Sequence, residues 1–151
     1  MAMNSVALLQ AVLDKALADR DIAGAELRAA ERLVLAAQTQ ASSLQTYRVD
    51  HDQRWVSRFR ESGGPELLHC HRSFGQRLDQ AITLQTSNAQ QLGNRLHLAR
   101  QTALAREQRV AAVRKLMERR QAELQKINAS RDQRNTDEAA QRAHSHRLSR
   151  P

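Results

Sequence analysis

Three groups of side chains in this sequence carry atoms that could do chemistry. They are His69-Cys70-His71, the pair His144 and His146 among C-terminal arginines, and the aromatic residues Tyr47 and Phe74. The first resembles a metal triad. Metal ligation needs donors that converge on one point, and consecutive residues of a helix point about 100° apart. His69, Cys70 and His71 therefore cannot share one ion if their segment is helical, and His144 with His146 fails on the same geometry. Neither a metal nor a cofactor is expected. Cys70 is the sole cysteine, so an intramolecular disulfide is impossible. With no glycine-rich phosphate loop, paired carboxylate site or nucleophile motif, the chain is not expected to be an enzyme.

The basic residues invite another reading. The 24 Lys and Arg outnumber the 16 Asp and Glu, for a formal charge of +8. Such an excess can attract nucleic acid, an acidic membrane or acidic proteins. Nucleic acid is disfavoured, because acidic residues interleave with the basic ones nearly everywhere before Ala143 and no stacking aromatics accompany the arginines. The last ten residues hold Arg142, Arg147 and Arg150 with His144 and His146, and no acid. The plain alternative for this tail is a solvated end.

Any of these groups must be positioned by helices. The apolar fraction, 40%, is largely alanine and leucine, and aromatics make up only 3%. So few large side chains cannot build a thick globular core; a chain rich in Ala, Leu, Arg and Glu with little Gly or Pro has the composition of a coiled coil. No run of about 18 apolar residues is present, so no membrane span is expected. The segment from Met1 to Lys15 lacks the basic start and apolar run of a signal peptide, which points to the cytoplasm.

The one strong break is Ser62-Gly63-Gly64-Pro65. Glycine reaches the left-handed conformation that ends many helices, and proline suits the first position of the next. The expected fold is all-α: a long two-helix antiparallel coiled-coil hairpin forming a single domain over 1–151. Helix one should cover about 5–61, capped by Asn4 or Ser5. The turn takes 62–65, helix two about 66–142, and a frayed basic tail 143–151.

Heptad spacing supports this layout. On helix one it selects Val6, Leu9, Leu13, Ala16, Arg20, Ala23 and onward to Arg48, His51 and Trp55. On helix two it selects Leu68, His71, Gly75, Leu78, Ile82 and onward to Leu124 and Ile127. An unbroken heptad makes a left-handed supercoil. A turn at Gly63 then sets Leu9 opposite Met117, Ala16 opposite Val110, Ala23 opposite Ala103 and Trp55 opposite His71. His51 would face Gly75, leaving room for the Trp55 indole. One layer is discordant: Arg20 faces Arg106, with Asp19, Asp21 and Glu107 near enough to pair with them. Beside the seam, Tyr47 falls next to Ala81 and Phe74 next to Arg54. Gln40, Tyr47, Phe74, Leu78, Ala81 and Gln85 thus form a candidate patch with more aromatic surface than the core needs, unless the rings merely shield the seam.

Size, turn position and three short segments together resemble the FliJ family, the small soluble component of the bacterial flagellar type III export apparatus. The segments are Tyr47-Arg48, then Phe74-x-x-x-Leu78-x-x-Ala81-Ile82, then Asp132-Gln133-x-x-x-Asp137-Glu138-x-Ala140-Gln141-Arg142. The resemblance implies an antiparallel coiled coil similar to the γ stalk of rotary ATP synthases. It further implies a role in the centre of the export ATPase ring, contact with the export-gate membrane protein, and handling of export chaperones. On that basis the Tyr47 and Phe74 patch engages the gate. Arg119, Arg120, Arg131, Arg134 and Arg142, expected on a stretch with little partner-helix cover, engage the ATPase ring. The protein would be cytoplasmic and peripheral at the inner face of the inner membrane, without inserting into it. Two departures stand out: His69-Cys70-His71 replaces more usual polar and tyrosine residues, and Ser43 stands where an aromatic is expected. A general coiled-coil scaffold with no ATPase partner is the alternative.

Overall fold

Pro65 and the glycines before it divide the chain as the spacing of helix formers requires. The computed structural model describes residues 2–151, with side chains from Asn4 onward. Helix α1 spans Ala2–Ser62 and helix α2 spans Pro65–Leu148. The two pack against each other as a helical hairpin, and no strand occurs among the described residues.

The turn differs in detail from the sequence-based expectation. No described glycine has a positive φ, so Gly63 does not end α1 through the left-handed conformation. Its smallness matters for another reason. A Cβ on Gly63 would stand 3.0 Å from Phe59 Cδ1 and 3.1 Å from the Phe59 carbonyl oxygen. Gly64 supplies the first carbonyl of the next helix, accepting from the Leu68 amide at 3.2 Å. Pro65 then fills the first helical position, where a missing amide hydrogen costs nothing, and Glu66 lies in the first turn against the positive end.

Both helices reach further than expected. α1 begins at Ala2, so neither Asn4 nor Ser5 caps it; Ser5 Oγ instead accepts from Arg120 Nε at 3.1 Å. α2 continues to Leu148, whereas fraying was expected past Ala143. His146 and Arg147 occupy its last turn, where positive charge opposes the negative helix end.

The chain divides into two compact units, Met1–Arg20 with Arg106–Pro151, and Asp21–Ala105. In the first, Ala16, Val110 and Val113 are buried, and Val110 is 1% exposed. Ala16 and Val110 are positions the register sets opposite each other. Arg20 is drawn to Glu107, Nε to Oε1 at 3.9 Å, while Arg106 is half-buried. In the second unit Ala23, Ala37, Leu78 and Leu96 are buried. Alanine on a seam lets helix axes approach within about 8–10 Å, and burying a leucine such as Leu78 contributes about 1.5–3 kcal/mol. The heptad positions from His71 to Leu124 are all buried or half-buried, and every residue from Gln125 onward is exposed. Leu68, expected in the seam, is 38% exposed, with Leu67 turned inward in its place.

Candidate protein-docking surface

Residues 47, 51, 55 and 59 recur every fourth position of α1, which sets them on one stripe of the helix. They are Tyr47, His51, Trp55 and Phe59. Opposite them α2 presents His71 and Phe74, three apart and so on one face of their own helix. The result is a continuous run of rings within the Asp21–Ala105 unit. Phe59 and Trp55 lie 6.2 Å apart between ring centroids, and Trp55 and His71 5.0 Å. His71 stacks on His51 at 5.0 Å with the planes 23° apart. His51 meets Phe74 at 4.7 Å, and Phe74 meets the Tyr47 ring edge-on at 6.4 Å and 71°. All of the chain's Trp, Tyr and Phe residues, one, one and two in number, belong to this run. Edge and stacked ring pairs add about 0.5–1.5 kcal/mol each beyond their buried area.

Charged and amide groups border the rings. Arg48 Nε donates to Asp79 Oδ1 at 2.9 Å, and Arg48 Nη1 donates to Asp52 Oδ1. The hydrogen bond to Asp79 is the main reason the guanidinium holds its proton more tightly than a free one, burial acting against it and the Asp52 charge with it. The guanidinium lies over Gly75, where a Cβ would come within 3.0 Å of Arg48 Nη2. The space above Gly75 therefore holds Arg48 and not the Trp55 indole that the sequence suggested. Further along, Gln85 Nε2 donates to Gln40 Oε1 at 2.9 Å, tying the two helices across the seam.

Each residue of the sequence-derived patch can now be placed. Tyr47 is 50% exposed and Phe74 39%, while Leu78, one turn along α2 from Phe74, is 8% exposed. Ala81 and Gln85 are half-buried, and Gln40 is exposed. Phe74 rests on His51 and Tyr47, whereas the sequence had paired it with Arg54, which is exposed. Half-exposed aromatics with polar groups along their border are the makings of a protein-binding hot spot. His51, Trp55, His71 and Phe59 were not in that set. The four-residue spacing from Tyr47 to Phe59 was the signal that could have found the three on α1, and the register that sets Trp55 opposite His71 was the one for the fourth.

The histidine–cysteine stretch lies in the first turns of α2. His71 turns into the seam while His69 and Cys70 are exposed, and no group of three or more metal-ligating side chains comes together among the described residues. The arginines assigned to the second contact lie in the other unit and do not form one cluster. Arg119, Arg131, Arg134 and Arg142 are exposed, and Arg142 Nη2 stands 3.8 Å from Glu138. Arg120 differs from the expectation of little cover, since it bonds Ser5 of α1 and pairs with Glu123 at 3.1 Å. None of the described helices is long and apolar enough to cross a membrane.

The family described as Flagellar FliJ protein matches residues 6–149. No curated protein and no solved structure matches the chain. With the family pattern running over nearly the whole of both helices, the chain belongs to the flagellar FliJ protein family.

Proposed function

We propose that this component of the flagellar protein-export apparatus couples the export ATPase ring to the membrane export gate and handles export chaperones. The observation that carries the reading is the half-exposed pair Tyr47 and Phe74, seated on a run of rings instead of sunk in the seam. In this reading Gln40, Tyr47, Phe74, Leu78, Ala81 and Gln85 meet the export-gate protein, with the two rings as anchors and the amides as an orienting rim. The ATPase ring meets Arg119, Arg120, Arg131, Arg134 and Arg142. The protein itself carries out no catalysis; it works by being held at two partners, and through the gate it sits peripherally at the cytoplasmic face of the inner membrane.

The test is a double variant, Tyr47→Ala with Phe74→Ala. If the rings serve docking, binding to the gate protein is lost together with motility, ATPase binding persists, and the melting temperature barely moves. If they only shield the seam, the melting temperature falls by several degrees, on the order of 1 kcal/mol or more for a small domain, and both partners are lost together. A stable double variant that still binds the gate would overturn the assignment.

A further inference from the structure

The run of rings contains two polar atoms with no hydrogen-bond partner, His51 Nε2 and His71 Nδ1, both shielded from solvent. The other nitrogen of His51 is taken, because Trp55 Nε1 donates to His51 Nδ1 at 3.1 Å. An indole can only donate, so Nδ1 is the acceptor and neutral His51 carries its single proton on Nε2. A second proton has one place to go. On Nδ1 it would confront the indole N–H, and the bond to Trp55 would break.

Charging His51 is also opposed by its surroundings. Two imidazolium rings would stack at 5.0 Å. From α1 the site is faced by Arg48 and Asp52 and from α2 by His71, with Asp79 reached through Arg48 and with His69, Cys70 and Arg77 lining a cavity shared with His51 and Trp55. Asp79 is held by Arg48, and Asp52 is shared between Arg48 and His71, whose Nε2 lies 3.7 Å from Asp52 Oδ1. That one carboxylate, already bonded to Arg48, cannot neutralise two rings at once. Burial chiefly, then the neighbouring His71 charge, holds His51 below the usual histidine range.

We propose that the His51–His71 stack is a proton-operated latch, which in its neutral form holds Trp55 and Phe74 in place and on protonation of His51 frees the indole and loosens Phe74. His51 is the ring directly under Phe74, so the latch governs how rigidly the half-exposed Phe74 and Tyr47 surface is presented. That last consequence rests on the gate-docking reading; the latch does not. Because the folded protein disfavours the extra proton, the unfolded chain takes it up first. Stability is therefore full above the ordinary value near 6.5 and is lost as pH falls through it towards the folded value.

The latch is tested on the full-length chain with no partner present, so its failure is separate from failure of the docking reading. The histidine ring resonances and the indole N–H of Trp55, the sole tryptophan, are followed by NMR from about pH 8 to about pH 5. The expected result is that His51 titrates below about 6.5 and that the indole N–H loses its hydrogen-bonded shift at the same midpoint. His71→Gln should move that midpoint upward by removing the like charge, and His51→Gln should abolish the indole transition. A His51 midpoint at or above the ordinary value, or an indole signal indifferent to His51 protonation, overturns the proposal. The wild-type titration alone decides the matter if either variant fails to fold.

Discussion

Gly63 and Gly64 are neighbours in the turn yet serve different ends. A methyl group on Gly63 meets Phe59, including its backbone oxygen, at 3.0–3.1 Å, whereas one on Gly64 meets nothing within 4 Å. Gly63→Ala should cost about 1–2 kcal/mol through overpacking. Gly64→Ala, at a site without positive φ, should be neutral or stabilise by about 0.4–1 kcal/mol by restricting the unfolded chain. Urea unfolding of both variants checks this, and equal effects would contradict the contact argument. The turn itself was legible in the sequence because glycine and proline punctuate helices. The reason for glycine at 63 was not, since the approach of Phe59 is a tertiary fact. The same holds for Arg48 over Gly75. A heptad names the positions that face inward, but it does not say which long side chain reaches over which small one, and the stacking of His51 on His71 was hidden for that reason.

At the level of the helices, α2 changes character near Leu124, the last half-buried position before a fully exposed stretch. Up to there its heptad residues have α1 to lie against; past it, helix is kept by propensity and local pairs such as Arg142 with Glu138. Packing supplies most helical stability in proteins, so this stretch adds little to the hairpin. Deleting residues 128–151 should leave the remaining chain helical and its melting midpoint nearly unchanged, as followed by circular dichroism. Under the proposed function the same deletion weakens ATPase binding, and a truncated protein that stimulates the ATPase fully would place that contact elsewhere. The length of α2 was less legible than its start. Pro65 marks one end sharply, while the C-terminal sequence holds no breaker before Pro151, and the fading of the apolar pattern there marks the end of the seam and not of the helix.

Over the whole molecule, what the sequence made plain was periodicity: two heptads around one turn determine which residues pack. The candidate surface was half legible. Tyr47 and Phe74 could be set beside the seam by counting, but the rings behind them depend on rotamers that counting does not supply. Few side chains are fully taken from water. Among the described residues the buried apolar set is Ala16, Ala23, Ala37, Leu78, Leu96, Val110 and Val113, with three alanines in it. Unfolding heat capacity comes from apolar surface newly exposed to water, and an ordinary globular domain shows about 12–15 cal/mol/K per residue. This chain, with alanine-rich burial and a helix end already in solvent, should fall clearly below that range in scanning calorimetry; a value inside it would mean a second apolar interface, such as one between copies. A small heat capacity change flattens the dependence of stability on temperature. The fold of this protein should therefore weaken only gradually on warming or cooling away from its optimum, with cold denaturation pushed far below the freezing point.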